Sequence, residues 1–573
     1  MNEQKPSHAS ETASPGKPAS TKVDAIAILR KVKNLLPLIL CAAAALFAFA
    51  LAVYFIVGPA EGYFHADCTD TILWAQATFD SGKVFNPDFN YAALLPFGAS
   101  LWLVPLIAIF GVTMQTHVIG MIIFAVLFMG AIVFLLRRMK WSYPWTLGTA
   151  AMIFMILSSS EKLREIMWNH VIYYSLGLLL FFFMLALVFW SYDRLENEEK
   201  PLWKRLLPLL PLLVLAILNA TNGFQMLVLT VLPIAVGVLA ERIFDRETPF
   251  FSKKNLPSVI LLGVLALGTL LGTALLKELL GDITSGYANA YSSYSNPDDW
   301  PENMEKFFMN WLTLIGMSVK NGDKLMEMDS IVNILRIGTG LLLLFVPLVF
   351  LACYRKIKDR RVRILVVAHA FMLAFLFFGC VCGRLAAANW RLTPLLGSSV
   401  LVTVAAAKEA WEQRKHAVLT CRSGVVLLVV LALLSGYNGK LIAEIPFDYG
   451  RDNDLHVLTE RLEEEGLTYG YATFWRSQAI TLLSDSKVKV REILVEDDGI
   501  TTDHYQSQGV WYEDQEGVEE YFVLLSASEQ RKLDGTLYWS EMMNHCFVRS
   551  FMVNGYGVFV FSENIWNSHA RLP

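Results

Sequence analysis

Two carboxylates, Asp67 and Asp70, stand in the run Glu61-Gly-Tyr-Phe-His65-Ala-Asp67-Cys-Thr-Asp70, just beyond a long apolar stretch that ends near Val57. A carboxylate held at a membrane surface can act as a general base on a hydroxyl that arrives from water, and His65 stands close enough in sequence to assist. A second charged set, Glu161, Lys162, Arg164, Glu165 and His170, stands between two later apolar runs. A third, Arg384 and the Arg391 of Ala388-Asn-Trp-Arg391-Leu-Thr-Pro394, places forked cations where positive charge is otherwise sparse, and a guanidinium pairs well with a phosphate. Each set also has a plainer reading. Thr69 and Asp70 suit the cap and first turn of a helix closed by Gly82, the Glu161 cluster suits a solvated turn, and basic side chains at helix ends reach for lipid headgroups. Asp67, Asp70 and Glu165 are oxygen donors of the kind Mg²⁺ or Mn²⁺ takes, so a divalent metal stays open and no other cofactor is indicated.

The elements that must position these residues are transmembrane. The 573-residue chain is 55% hydrophobic and only 17% charged, against roughly 25% charge in soluble domains. Apolar runs such as Leu35 to Val57 and Val171 to Trp190 have the length of about 20 residues that a helix needs to cross the hydrocarbon, and no period of two suggests a barrel. Spans are expected near 35 to 57, 115 to 136, 144 to 159, 171 to 191, 206 to 220, 225 to 240, 256 to 276, 331 to 353, 363 to 382, 390 to 407 and 421 to 437. That makes about eleven at the usual span length. Basic clusters at Arg137, Arg138 and Lys140, at Arg194, Lys200, Lys204 and Arg205, at Arg242, Arg246, Lys253 and Lys254, at Arg355 to Arg363, and at Lys408, Arg414, Lys415 and Arg422 fall on alternate loops. Excess positive charge marks the cytoplasmic side. Leu94 to Val112 is then better read as lying on or dipping into the surface, because counting it as a crossing would reverse every later loop; the alternative is two extra crossings in this region, which restores the same C-terminal side.

The expected fold is therefore mainly α: a polytopic helical bundle followed by a small extracytoplasmic α/β domain. Residues 1–24, rich in Ser, Pro, Ala and Lys, read as a disordered cytoplasmic tail. Residues 25–437 form the membrane part, with outer loops 58–115 and 277–330, and residues 438–573 the outer domain. Within that domain helices are expected over Asp454 to Glu465 and Arg476 to Leu483, and strands over Leu467 to Thr473, Val488 to Val495, Tyr521 to Leu525 and Val558 to Phe561. Cys546 has at most Cys68 to pair with on the outer side. Of two aromatic groups, Tyr287, Tyr291, Tyr294 and Trp300 read as interfacial anchors, and Tyr469, Tyr471 and Trp475 as core.

One span, an outer loop with an early Asp, a surface helix ending at Gly82, and an apolar segment closed by Phe110-Gly111 before the next crossing: this layout resembles the GT-C membrane glycosyltransferases, whose relatives include protein O-mannosyltransferases, lipid A aminoarabinose transferases and oligosaccharyltransferase catalytic subunits. The resemblance implies hexosyl or pentosyl transfer from a polyprenyl phosphate sugar donor to an envelope glycan or lipid acceptor outside the plasma membrane. It implies Asp67 as base or acceptor orienter with Asp70 second, Glu165 as the acidic residue of the next outer loop supporting acceptor or metal, and Arg391 with Arg384 on the donor phosphate. His65 and His170 are then auxiliary. The mannosyltransferases carry Asp-Glu where this chain has Asp67-Cys68, a departure from that subgroup.

Rival classes remain: a lipid or polysaccharide transporter or flippase, which would bury ionisable groups such as Arg336 and His369 at mid-membrane, and a non-catalytic envelope assembly protein. No Walker loop, paired-Cys motif or HExxH is present, so soluble-nucleotide chemistry is not expected, and no nucleic acid is expected as partner.

Overall fold

The computed structural model describes residues 20–244, 252, 255–281, 283, 293–385, 388–412 and 418–569. Ten described helices are long and apolar enough to cross a membrane: Leu35–Val57, Met114–Arg138, Tyr173–Leu195, Leu202–Thr221, Phe224–Ile243, Leu256–Leu280, Met328–Ala352, Arg360–Val381, Asn389–Glu412 and Arg422–Ala443. The chain is a multi-pass membrane protein. Tyr173–Leu195 and Asn389–Glu412 run through the middle of the bundle, whereas Leu35–Val57 and Leu256–Leu280 turn residues such as Leu46 and Leu270 outward. That exposed apolar surface is what lipid covers.

Charge sorts the two ends of the bundle. Asp193 pairs with Lys140 and Arg361, Glu196 takes Arg360 through two bonds, and Glu241 holds Arg242 and Arg363. Basic loops expected on one side therefore meet physically at one end, with Lys253, Lys254, Arg246, Arg414 and Lys415 outside the described residues. The other end carries the C-terminal domain: Met114 N donates to Asp485 Oδ1 at 2.9 Å, Ser486 Oγ to Val112 O at 2.5 Å, and Asn453 Nδ2 to Gly62 O at 3.1 Å.

Tyr143–Ile156 joins the two ends with only 14 helical residues, roughly 21 Å of helix. It starts beside Arg137, whose guanidinium lies 4.1 Å from the Tyr143 ring, and continues through buried Leu157, Ser158 and Ser159. Irregular backbone at membrane depth is tolerated where protein covers it. Beside the ten long helices, this shorter apolar helix is the segment where the sequence places one further span. Leu94 to Val112 behaves as expected of a surface segment: its helix is only Ser100–Phe110, with Leu103 and Ile107 packed on Phe64, Ile72, Ala479 and Leu482.

Two boundaries shift. The first helix begins at Ser20, so residues 20–24 of the expected tail are helical, while 1–19 lie outside the described residues; extending a formed helix takes little. The last one runs to Ala443 rather than stopping at 437, because Asn438 is buried with its amide on Met155 O at 3.0 Å, so a polar residue does not end the helix.

The C-terminal domain is built on a six-stranded sheet of order β3-β2-β1-β4-β6-β5, with β1 Tyr469–Ala472, β2 Lys489–Val495, β3 Ile500–Thr502, β4 Tyr521–Ser526, β5 Phe547–Val553 and β6 Tyr556–Phe561. β1 pairs in parallel with both β2 and β4, and the remaining pairs are antiparallel. One face packs on Leu458, Leu462 and Ile480, the other on Trp539, Met542 and Ile565. Cys68 and Cys546 are buried in separate cores and are not joined by a disulfide, so the pairing the sequence allowed does not occur.

Candidate functional site

The first loop leaves its span through two 3-10 turns, Pro59–Tyr63 and Ala66–Thr69, and enters the helix Asp70–Ser81, which ends on Gly82 in the left-handed conformation at φ 65°. Gly62 fixes the approach. A Cβ there would stand 1.8 Å from Tyr449 O, so the loop and the chain entering the C-terminal domain can touch only through glycine.

Thr69 is not the side-chain cap expected of it. Its hydroxyl donates back to Ala66 O at 2.7 Å, and Asp70, at the helix start, is buried rather than solvated. One Asp70 oxygen accepts from Gln506 Nε2 at 2.5 Å and the other lies 3.3 Å from His170 Nε2. Gln506 is held in turn by Trp74 Nε1 at 2.7 Å. Burial raises the Asp70 carboxyl above its ordinary value, against the opposing bond and charge of His170.

Asp67, one turn earlier, differs. It is half-buried, and among the described residues no side-chain hydrogen bond or ion pair engages its carboxylate. It is the carboxylate of this cluster left available to a ligand.

Glu165 sits on the short helix Glu161–Trp168, capped by Ser160. Its carboxylate lies 3.3 Å from His65 Nε2 and 2.6 Å from Lys162 Nζ. Burial works to raise it, but His65 and then Lys162 outweigh burial and hold it below the usual carboxylate value. His65 moves up: burial opposes its charge, yet the neighbouring Cys68 sulfur and the Glu165 carboxylate prevail. The Glu161 cluster is thus only partly the solvated turn of the plainer reading; Glu161 is exposed, while Arg164 and Glu165 are buried.

Arg391 is buried on the 3-10 turn Asn389–Leu392, which packs against the Glu165 helix; Lys162 Nζ stands 5.0 Å over the ring of its neighbour Trp390. Arg384 is placed elsewhere. It is exposed, its backbone is tied to Ser293 O at 3.1 Å, and among the described residues its side chain makes no hydrogen bond or ion pair with the acidic cluster. The structure therefore brings Asp67, Asp70, His65, Glu165 and His170 together, sets Arg391 at their border, and leaves Arg384 apart.

Among the described residues no three His, Cys, Asp or Glu side chains are grouped as a metal ion's ligands would be, and the oxygens of Glu165 and Asp70 face Lys162, His65, His170 and Gln506.

The C-terminal domain supplies residues that the sequence does not mark as part of a site. Gln506 sits in a loop at φ 54°, 436 positions from the carboxylate it contacts. Glu492 on β2 is fully buried; burial first, then the charges of Asp503 and Asp70, hold its carboxyl well above the usual range. Of the aromatic group read as core, Tyr469 and Tyr471 are buried, but Trp475 is 57% exposed, with its ring 6.2 Å from that of His65. Tyr287 and Tyr291 lie outside the described residues, whereas Tyr294 is exposed as an anchor would be.

No family model matches the chain, and no curated protein does. Among solved structures the chain is similar to ArnT from Cupriavidus metallidurans bound to undecaprenyl phosphate, with 12% identity, 91% of this chain and 97% of that one covered, and a TM-score of 0.49. It is similar also to the oligosaccharyltransferase of Archaeoglobus fulgidus in the apo form, at 14% identity over 81% of this chain and 65% of that one with a TM-score of 0.41. A complex of the archaeal enzyme AglB with an inhibitory peptide and a dolichol-phosphate gives 12% identity over 95% and 75%, with a TM-score of 0.40. These similar structures are an aminoarabinose transferase and oligosaccharyltransferases, two of the groups with which the sequence is compared above.

Proposed function

We propose that this chain is a membrane glycosyltransferase that moves a sugar from a polyprenyl phosphate donor to an envelope acceptor on the extracytoplasmic side, with the basic end of the bundle in the cytosol. One observation carries the reading: the Asp67 carboxylate, free of side-chain partners among the described residues, stands beside two paired acids at the end where the first span, the Arg391 turn and the C-terminal domain converge.

In the step, Asp67 accepts the proton of an acceptor hydroxyl as that oxygen bonds to the anomeric carbon. The bond from that carbon to the phosphate oxygen breaks, and the polyprenyl phosphate leaves with the electron pair. Asp70, fixed by His170 and Gln506, orients the loop that carries Asp67. Glu165 favours the charged form of His65 and holds Lys162 in place, and these groups with Arg391 favour an anionic headgroup at the rim. Arg384, set apart from this cluster, is given no role in the step. No step is assigned to a divalent ion.

The test supplies a radiolabelled polyprenyl phosphate sugar to purified protein in nanodiscs. Asp67→Asn is expected to lower transfer by about 10²–10⁴, the usual contribution of a general base. Equal transfer by both proteins removes Asp67 from that role.

A further inference from the structure

β1 lies between two parallel neighbours, with β2 on one side and β4 on the other. The chain leaves β1 toward β2 and returns later to β4, so the gap between β1 and β4 is a point where strand order reverses. In open α/β sheets ligands bind outside the carboxyl ends of the strands at such a point. Here the chain departs from β1 as Thr473-Phe474-Trp475-Arg476, and a cavity of about 320 Å³ opens, lined by Asn453, Asp454, Leu458, Trp475, Arg476 and Tyr556. Cavities that hold small ligands run from roughly 300 to 1,000 Å³.

The lining has a definite chemistry. Trp475 presents its indole to solvent, unlike Tyr469 and Tyr471 of the same segment. Arg476 is held by Thr473 Oγ1 at 2.8 Å and Glu529 Oε1 at 3.4 Å, and its guanidinium lies 4.7 Å over the Tyr556 ring. Asp454 is exposed at the start of the helix Asp454–Glu464, and among the described residues its carboxylate accepts only a long bond from Asn554 at 3.4 Å. An aromatic face, a carboxylate and an immobilised guanidinium around one small space match a pyranose, which offers a C–H face to a ring quadrupole and hydroxyls to charged partners. A phosphate would meet Asp454 and Glu529. An acyl chain would meet the charges of Asp454 and Arg476.

Position joins this crevice to the reaction site, since the Trp475 ring is also the one beside His65, and His65 contacts Glu165. We infer that the crevice at the carboxyl ends of β1 and β4 is a saccharide subsite that holds the acceptor, one sugar ring on Trp475 and its hydroxyls on Asp454 and Arg476, delivering the next hydroxyl past His65 toward Asp67. The assignment of this saccharide as acceptor rests on the transferase reading above; its binding does not.

The experiment applies the full chain in nanodiscs to a printed array of oligosaccharides and titrates the best binder by calorimetry, without donor. Trp475→Ala is expected to weaken binding roughly tenfold, with Trp475→Phe retaining most of it because a stacking face remains. Asp454→Asn is expected to weaken it as well. Both positions are exposed, and unchanged unfolding midpoints confirm that the variants fold. In transfer assays Trp475→Ala raises the acceptor KM and leaves kcat near wild type, as loss of uniform binding does. Absence of any binding oligosaccharide, or equal affinity for wild type and Trp475→Ala, overturns the subsite. Binding that obeys these expectations in a protein that transfers no sugar upholds the subsite and strikes the transferase reading alone.

Discussion

The two ends of the helical bundle treat charge in opposite ways. At the basic end three acids are held by cations: Asp193 by Lys140 and Arg361, Glu196 by Arg360, and Glu241, wholly buried, by Arg242 and Arg363. At the end bearing the sheet domain, Asp67 has no side-chain partner among the described residues, Asp70 is buried against a single imidazole and an amide, and Glu492 is buried beside other acids. Matched charge holds helices in register. Charge held out of balance is what binding and proton transfer require, and perturbed groups concentrate at such sites.

This contrast breaks first if buried pairing at the basic end proves dispensable. Glu241→Ala leaves two guanidinium groups without their common acid, and loss of about 3–5 kcal/mol in unfolding stability is expected, the usual result of removing one partner of a buried pair. Denaturant unfolding in detergent micelles reads it.

Glu165→Gln sharpens the contrast from the other side. Because the folded-state value of Glu165 lies below its ordinary 4.5, the stability it contributes is fully present above that pH and is lost as pH falls through the depressed value. The variant is expected to lose about 1–3 kcal/mol near neutral pH and to show a shallower acid limb. A limb as steep as that of wild type places the acid sensitivity elsewhere.

Gln506→Ala removes the amide that steadies Asp70 and is expected to lower transfer about tenfold, equivalent to ~1.4 kcal/mol of barrier. Because the Gln506 bond is among the influences that lower the Asp70 carboxyl, its loss moves the acid limb of the pH–rate profile upward. An unchanged profile separates Gln506 from the chemistry. The smallest effect belongs to Arg451→Ala: its pair with Glu61 at 3.3 Å is largely exposed, so no more than about 1 kcal/mol is expected even though the pair lies at the sheet-domain end.

Run length and basic loops made the membrane part legible, and the segment from Leu94 to Val112 forms only the short helix Ser100–Phe110 rather than a long apolar one. Strands β1, β2, β4 and β6 fell on the segments read as strands from the sequence, although β2 carries Lys489, Arg491 and Glu492. β5 did not, because as an edge strand it alternates exposed and half-buried residues and carries Arg549, although Asn554-Gly555, both at positive φ, is the turn that joins it to β6 and a recognisable hairpin signal. In the site, the sequence pointed to the acids and histidines but not to their partners. Asp70 sits where a helix-capping acid would, so local spacing could not distinguish a solvated cap from a buried residue awaiting Gln506. The same holds for Trp475, whose strand pattern matches that of buried Tyr471 and whose exposure is decided by where β1 ends.

The most direct measurement sets Asp67→Asn and Glu241→Ala side by side, scoring polyprenyl-phosphate-sugar transfer per folded molecule together with unfolding stability. The expected outcome is a crossing: Asp67→Asn stays folded and loses transfer, while Glu241→Ala loses stability and its folded fraction still transfers. Wild-type transfer by folded Asp67→Asn would contradict the account.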